Sequence, residues 1–325
     1  MSSQRFSALQ LMQALQLGHA VAALHALGVM EELPQPCEPA ALAERLGLNA
    51  ALLSGLLDHA ARATDLVQRR GRRYRRTRAW NDDARFLGGL YGLAFGPPAA
   101  GVQTLLGDPS RAGRLVDHRR HAQVFDAAAP GADAALVGLL RQVGLRRVLD
   151  LGCGPARLLV ALAQSDLDFR GWGVEARRPM LARARATVRE AGVAAQVRLL
   201  KGDARDPSSA VPVAVAASTQ AVVASQFVNE LFGAGPAAAV AWMRALRGLL
   251  PGRWLVVADY AGRLGSPQMA SPRTLVHDHA QLLSGQGVPP ANRRDWAALY
   301  AAAGVRLVHV IEDVSSTRFI HLVAL

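Results

Sequence analysis

A glycine-rich turn after a short apolar segment is the part of the sequence whose residue types and spacing best fit ligand binding. Asp150 lies in this apolar segment, Gly152 and Gly154 follow it, and a stretch of helical periodicity comes next. Glycines let the backbone bend and approach a ligand closely, and the free N–H groups at the start of a helix attract polar or anionic groups. The pattern therefore predicts a nucleotide-type pocket between a strand and a helix.

The spacing of the glycines disfavours a nicotinamide dinucleotide as the ligand. The dinucleotide fingerprint has a third glycine three positions after the second, and this chain has Arg157 there. Two more acidic residues, Glu175 and Asp203, stand at the ends of the next two predicted strands. At the position of Glu175, a carboxylate offers two acceptor oxygens to the hydroxyl groups of a ribose.

The order of these motifs resembles that of the class I S-adenosylmethionine (SAM)-dependent methyltransferases. The stretch Asp150 to Gly154 resembles their first motif, and Pro251-Gly-Arg-Trp resembles the turn before their fifth strand. In this superfamily the acidic residue after the third strand, here Asp203, lies beside the adenine ring. The resemblance implies a SAM site formed by Asp150, Gly152, Gly154, Glu175, Gly202, Asp203, Ala204, Ser225, Gln226 and the aromatic Phe125.

The first 80 residues predict helices followed by a hairpin. Apolar residues recur at helical spacing from Ser7 to Leu33, with a break at Gly18. Two short helices joined by Gly47-Leu-Asn form a helix-turn-helix pattern, and an arginine-rich hairpin turning at Gly71 follows. With the later motifs, this layout resembles the winged-helix dimeric small-molecule O-methyltransferases of the caffeate and hydroxyindole type and their bacterial relatives. The resemblance implies a homodimer formed through the N-terminal domain and a small-molecule methyl acceptor in bacterial specialised metabolism.

Strand-like and helix-like segments alternate from Arg146 onward, which predicts an α/β fold with a Rossmann-like doubly wound sheet. Seven strand candidates are present, and the resemblance implies that the last one is antiparallel. We predict three regions: a winged-helix dimerisation domain at 1–100, connecting helices at 101–144 and a SAM-binding methyltransferase domain at 145–325.

The sequence departs from the family at the position of its catalytic base. O-methyltransferases of this type usually carry a His-Asp pair after the fourth strand, and this chain has Asn229 and Glu230 there. Asparagine cannot accept a proton at neutral pH. Glu230 can act as the base if burial raises its pKa, and is otherwise a carboxylate favoured at a helix N-terminus. His277 is the other candidate, because its segment resembles the family's substrate helix and His277 forms a polar stripe with Gln281. His279 points to a different face of that helix, so only one of the two histidines can line the pocket.

The missing histidine leaves the methylated atom open. The family resemblance favours an oxygen. A thioether sulfur has no proton to lose and a neutral amine needs none removed, so S-methylation of a thioether acid, as in dimethylsulfoniopropionate synthesis, and N-methylation remain alternatives. Because SAM is an activated donor, positioning and exclusion of water can supply much of the acceleration.

Composition bounds the other classes of function. The chain of 325 residues has a formal charge of +12, a single lysine, and seven arginines between Arg69 and Arg78. We attribute this charge to a coding bias toward arginine in the whole chain and to the local cluster between Arg69 and Arg78. A DNA-binding regulator is disfavoured because helix 50–61 offers few base-reading side chains and contains Asp58, which phosphate would repel. An RNA methyltransferase is disfavoured because no aromatic-studded basic surface accompanies the arginines.

The remaining expectations concern compartment and metal. Two cysteines cannot build a disulfide framework, no run of 18 apolar residues is present, and the N-terminus lacks a signal-peptide pattern. We therefore expect a cytoplasmic protein with no membrane partner. We also expect no metal, because His277 and His279 cannot converge on one ion from a helix.

Overall fold

The structure, a computed structural model, describes residues 6–127, 134–267, 270–313 and 317–325. The chain divides into two compact units. Unit 1 is Met1–Pro97 with Gln123–Ala129, and unit 2 is Pro98–Ala122 with Pro130–Leu325.

Unit 1 contains a long helix, a helix-turn-helix and a two-stranded hairpin. Its elements are α1 (Ala8–Ala26), α2 (Pro39–Leu46), α3 (Ala50–Ala63), β1 (Val67–Arg70), β2 (Arg73–Arg76), α4 (Asp82–Leu87) and a π-helix (Gly88–Ala94). The interruption predicted at Gly18 is wrong, because α1 continues through it. A glycine inside a helix costs only about 1 kcal/mol relative to alanine, and the flanking turns of good helix formers can offset that cost.

Local sequence explains the helix-turn-helix, and the structure confirms it. Pro39 begins α2, where its missing N–H costs nothing, and Gly47 ends the helix with a left-handed φ of 65°. Asn49 caps α3 by accepting the backbone N–H of Leu52 at 3.0 Å. Leu42 and Leu57, from the two helices, are fully buried in the core of the unit.

Unit 2 has the alternating pattern that the sequence predicts. Along the chain, the helices are α5 (Gly96–Ala100), α6 (Val102–Gly107), α7 (Ala112–Leu115), α8 (His118–Ala127), α9 (Ala134–Gln142), α10 (Arg157–Ser165), α11 (Arg178–Glu190), α12 (Pro207–Ala210), α13 (Val213–Ser218), α14 (Pro236–Leu249), α15 (Pro272–Leu283) and α16 (Arg293–Ala303), with 3₁₀ turns at Pro109–Arg111 and Val228–Ala234. The start of α5 and the end of α8 belong to unit 1. The strands are β3 (Arg147–Leu151), β4 (Arg170–Glu175), β5 (Val197–Lys201), β6 (Ala221–Ser225), β7 (Trp254–Tyr260), β8 (Arg306–Asp313) and β9 (Arg318–Ala324).

These seven strands form one sheet in the order β5-β4-β3-β6-β7-β9-β8. Strands β3 to β7 are parallel, and β9 runs antiparallel to both of its neighbours. The predicted fold class is thereby confirmed. Because five parallel strands end at the same edge, the residues that follow them lie close together there.

Two groups of buried apolar side chains hold the sheet of unit 2. One includes Leu149, Val222 and Trp242, and the other includes Val148, Leu159 and Val223. Neighbouring residues of one strand belong to different groups because successive side chains point to opposite faces of a sheet. Within the described ranges, no helix is both long and apolar enough to cross a membrane.

Candidate active site

The glycine turn connects β3 to α10. Gly152 and Gly154 have φ angles of 77° and 52°, in the left-handed region that favours glycine. The N–H groups of Gly152 and Cys153 both donate to the carbonyl of Val174, at 3.0 and 3.1 Å, which fixes the turn against β4. A Cβ at Gly152 would lie 2.8 Å from the ring of Phe227, whereas one at Gly154 would meet nothing within 4 Å. Gly152 is thus required by packing, and Gly154 borders open space.

Two buried carboxylates flank this turn. Asp150 is 3% exposed, and its Oδ1 has no hydrogen-bond partner among the residues that the structure describes. Burial, together with the charge of Glu175, raises the pKa of Asp150 to about 7. Burial also raises the pKa of Glu175, whose Oε1 accepts the backbone N–H of Arg177 at 2.8 Å. Buried carboxylates of this kind are stabilised by a ligand that brings hydroxyl or N–H donors, so the pair fits the adenosyl group that the sequence predicts.

The segment after β5 is firmly held but leaves one carboxylate accessible. A Cβ at Gly202 would lie 2.8 Å from the Cβ of Ala210, and the carbonyl of Ala204 accepts the indole N–H of Trp242 at 2.8 Å. Asp203 is exposed, and its Oδ1 accepts the backbone N–H of Arg205 at 2.9 Å. Its carboxylate therefore remains available to a ligand at the same edge of the sheet.

The turn that ends β6 contains two of the predicted cofactor-binding residues, Ser225 and Gln226. The strand ends at half-buried Ser225, because the exposed Gln226 adopts a left-handed φ of 52°. The N–H of Gln226 donates to the carbonyl of Ala258 at 2.8 Å. This turn leads directly to Asn229.

Asn229 is buried and connects three elements. Its backbone N–H donates to Asp259 Oδ2 at 2.9 Å, and its side-chain Nδ2 donates to Gln281 Oε1 at 3.1 Å. Its Oδ1 has no partner in the described part of the chain. The residue thus joins the end of β6 to β7 and α15, and it offers hydrogen bonds rather than a proton acceptor.

Glu230 lies in the first turn of the 3₁₀ segment and contacts two arginines. Its Oε2 is 3.1 Å from Arg205 Nη2 and 3.8 Å from Arg177 Nη2. Burial raises the pKa of Glu230, and the two arginines oppose this shift without cancelling it. The three side chains connect the segments that follow β4, β5 and β6, an arrangement that no local sequence pattern predicts.

His277 is the one histidine of α15 that is shielded from solvent. It is half-buried and packs edge-to-face on Tyr260, with ring centroids 4.6 Å apart, whereas His279 is exposed. Burial lowers the pKa of His277 to about 4, so the ring is neutral at pH 7. A neutral imidazole can accept a proton, but with this pKa it is a weak base.

Sequence reasoning missed two buried aspartates near this edge. Asp259 follows the same pattern as Asp150, an acid near the end of a strand, and burial raises its pKa to about 7. Asp278 is fully buried on α15, where its Oδ2 accepts the N–H groups of Arg263 and Leu264 at 2.6 and 2.8 Å. It therefore attaches the segment after β7 to the helix that carries Gln281.

Two histidines of α8 were also missed. Burial and the nearby charge of Arg177 lower the pKa of His118, and they lower that of His121 to about 4. Both imidazoles are therefore neutral at pH 7 and can serve as hydrogen-bonding groups.

Phe125 belongs to unit 1, where it packs edge-to-face on Phe86 at 5.9 Å between centroids. Its assignment to the cofactor site stays a prediction.

Comparison with known proteins covers both units. Residues 148–247 match a family model described as a methyltransferase domain. No curated protein matches the chain. Among solved structures, PigF with SAH has a TM-score of 0.77 at 16% identity, covering 98% of each chain. The mitomycin 7-O-methyltransferase MmcR has 0.70 at 18%, covering 97% of this chain and 95% of that one.

A third solved structure aligns over the full length of both chains. It is NcsB1, an O-methyltransferase from neocarzinostatin biosynthesis in complex with SAM and 2-hydroxy-5-methyl naphthoic acid, with a TM-score of 0.68 at 18% identity. At these identities the likeness establishes a common fold over nearly the whole chain.

Proposed function

We propose that the chain transfers a methyl group from SAM to a small-molecule acceptor, and the match of residues 148–247 to a methyltransferase-domain model supports this. The observation that carries the proposal is a row of three carboxylates, Asp150, Glu175 and Asp203, at the ends of the adjacent parallel strands β3, β4 and β5. The turn at Gly152 and Gly154 lies beside them. In an open α/β sheet, ligands bind at this edge.

The cofactor supplies a methyl group already activated on a sulfonium sulfur. We assign the ribose hydroxyls to Glu175, the surroundings of the adenine to Gly202, Asp203 and Ala204, and the remaining polar contacts to the glycine turn and Asp150. The raised pKa values of Asp150 and Glu175 support this assignment, because such carboxylates gain most from new hydrogen-bond donors. Ser225 and Gln226 complete the proposed site from the end of β6.

We propose an oxygen as the methylated atom. The solved O-methyltransferases that share this fold, among them MmcR and NcsB1, support this choice. The chain's own contribution is to bind both reactants in line and to exclude water, since Asn229 cannot remove a proton. Glu230 and His277 remain the candidate bases for an acceptor that arrives as a neutral hydroxyl.

Asn229 also supports a second candidate, methylation of a thioether sulfur or an amine. These acceptors have a lone pair that attacks without prior loss of a proton. A buried amide held by Gln281 is compatible with them, because it positions a neutral group without needing to change charge.

The proposed homodimer is supported by an apolar surface on α1. Leu9, Leu11, Met12 and Leu15 are each at least half exposed, and Leu9 is 79% exposed. A contiguous apolar surface of this kind marks an interaction site. We expect the wild-type chain to be a dimer by light scattering and Leu11→Asp/Leu15→Asp to be a monomer. Leu106→Asp, at an exposed leucine of unit 2, is the control that leaves the dimer intact. A monomeric wild type contradicts the proposal.

We also propose a cytoplasmic location, in which Cys37 and Cys153 remain free thiols as they are in the structure.

The proposed methyltransferase function is tested by a methyl-transfer screen with labelled SAM against phenols, carboxylates, amines and thioethers. Transfer to at least one class, lost in Gly152→Asp, supports the proposal. Absence of SAM binding contradicts it.

A further inference from the structure

The hairpin formed by β1 and β2 concentrates positive charge on an otherwise acidic part of the chain. Seven arginines lie between Arg69 and Arg78, while the rest of the first 97 residues contains four arginines and eight acidic residues. Arginine-rich coding would raise the charge throughout the region. The contrast shows that it does not account for this cluster.

The register of the hairpin places the charges on both faces. Val67 pairs with Arg76 and Arg69 with Tyr74, and this face rests on the core through the buried Val67 and Tyr74. Arg70 stands directly opposite Arg73 on the other face. Like charges directly opposite each other destabilise a strand pair, so the arrangement has a cost for folding that a bound anion would remove.

Few of these arginines are neutralised within the chain. Arg69 pairs with Asp58 at 2.5 Å and Arg73 with Glu38 at 3.6 Å. Arg75 bonds instead to the side-chain oxygen of Gln68, at 2.9 and 3.1 Å. Among the described residues, no carboxylate forms an ion pair with the other arginines of the hairpin, which are Arg70, Arg72, Arg76 and Arg78.

An open groove lies along the hairpin. It has a volume of about 530 Å³ and is lined by Pro34, Gln68, Arg75, Arg76, Thr77 and Arg78. Three of these six side chains are guanidinium groups, whose planar N–H forks match the oxygens of a phosphate.

We propose that this hairpin binds the phosphate backbone of double-stranded DNA without reading its sequence. A two-stranded β-ribbon has the dimensions to enter the major groove, and phosphate contacts need only positive charge and N–H donors. The repulsion expected from Asp58 is absent from this surface, because Arg62 and Arg69 both bond to that carboxylate.

Two other polyanionic partners, an acidic protein and a single-stranded nucleic acid, fit the hairpin less well. The core of a protein interface is depleted in charge and enriched in apolar groups, and the face with Gln68, Arg70, Arg73 and Arg75 has no apolar side chain. Single-stranded nucleic acid is held by stacking on aromatic rings. Tyr74 is the one aromatic residue of the hairpin, and it is buried with its hydroxyl on Asp58.

Fluorescence anisotropy with a labelled 20-base-pair DNA duplex of arbitrary sequence tests the proposal on the whole 325-residue chain. If about four arginines contact phosphates, the slope of log K against log salt is about −3.6, and binding weakens about 100-fold between 50 and 200 mM salt. Arg70→Ala/Arg72→Ala is expected to reduce the slope by about 2. Arg185→Ala/Arg189→Ala removes two exposed arginines of α11 instead, and is expected to bind like the wild type.

The outcomes separate the three partners and are independent of methyl transfer. Duplex binding that depends on Arg70 and Arg72 supports the proposal. It is overturned if the duplex does not bind, if the two double variants lose equal affinity, if a single strand of the same length binds more tightly, or if polyglutamate binds where the duplex does not. SAM binding, measured on each variant, is expected to be unchanged and verifies that the chain is folded.

Discussion

The side-chain amide of Asn229 donates a hydrogen bond to Gln281 Oε1 at 3.1 Å, and both residues are buried. This bond joins the segment after β6 to the helix α15, and the backbone N–H of Asn229 is bound at the same time by Asp259. Asn229, at the position where the sequence resemblance predicts a catalytic base, is therefore fixed as a neutral, hydrogen-bonded group. Its contacts favour orientation of the acceptor over removal of a proton.

Gln281→Met tests the structural contribution of this pair. The substitution keeps an unbranched side chain of similar size but leaves a buried N–H group without an acceptor, which costs about 1–3 kcal/mol. We expect the free energy of unfolding in urea to fall by that amount. Leu282→Ala, at the exposed neighbour on α15, is the matched control and is expected to cost less than about 0.5 kcal/mol. Equal stability of Gln281→Met and the wild type would show that the bond contributes nothing.

Asn229→His tests whether the acceptor needs a base. A histidine at this position can take a proton from a neutral hydroxyl, and general-base catalysis typically contributes about 10²-fold or more. For a hydroxyl acceptor we expect the rate to increase and to acquire a limb that rises with pH near the pKa of the new imidazole. A thioether acceptor is expected to react no faster. A variant that binds SAM but gains no hydroxyl methylation at any pH would show that the lack of a base is not what limits methylation of a hydroxyl acceptor.

Asp150 is expected to make both stability and SAM affinity depend on pH. Its pKa in the folded chain is raised to about 7, from the 3.8 of an exposed aspartate, because burial disfavours the charged form. Folding therefore favours the protonated form, so its contribution to stability is complete below about pH 4, decreases as the pH rises to about 7, and is constant above that. SAM affinity is expected to change in the opposite direction, because the charged carboxylate is the better acceptor.

Asp150→Asn isolates this effect. The variant is expected to gain stability relative to the wild type as the pH rises from 4 to 7, measured by thermal unfolding, and to bind SAM with an affinity that no longer increases over that range. A stability difference that does not vary with pH would contradict the raised pKa. Asp166→Asn, at an aspartate outside the site that pairs with Arg146, provides the control.

Local patterns in the sequence were sufficient to predict much of the fold, and they are also the basis of the proposed cofactor site. Glycine spacing, apolar periodicity and acids at strand ends are local signals, and they located Asp150, Gly152 and Glu175 and the order of the elements. The bond between Asn229 and Gln281 spans 52 positions, and the contact between Glu230 and Arg205 spans 25. Such pairings depend on how the helices cross the sheet edge, which periodicity does not specify.

Other differences arise where the tertiary structure outweighs a local preference. Gln226 adopts a left-handed φ that its residue type disfavours, because its N–H is bound by Ala258. Gly18 is exposed, and it remains helical because the good helix formers on either side offset its weak helix propensity. Asp259 carried a signal that could have been used, since it stands near a strand end as Asp150 and Glu175 do.

Titration of SAM into the wild type and Glu175→Ala by calorimetry at pH 8 tests the central claim most directly. Hydrogen bonds to a charged acceptor contribute about 1.5–3 kcal/mol each, so loss of the carboxylate is expected to weaken SAM binding at least about tenfold. Glu312→Ala, at an exposed glutamate of β8, is expected to bind SAM as the wild type does. A wild type that does not bind SAM, or a Glu175→Ala variant that binds it equally well, would contradict the account.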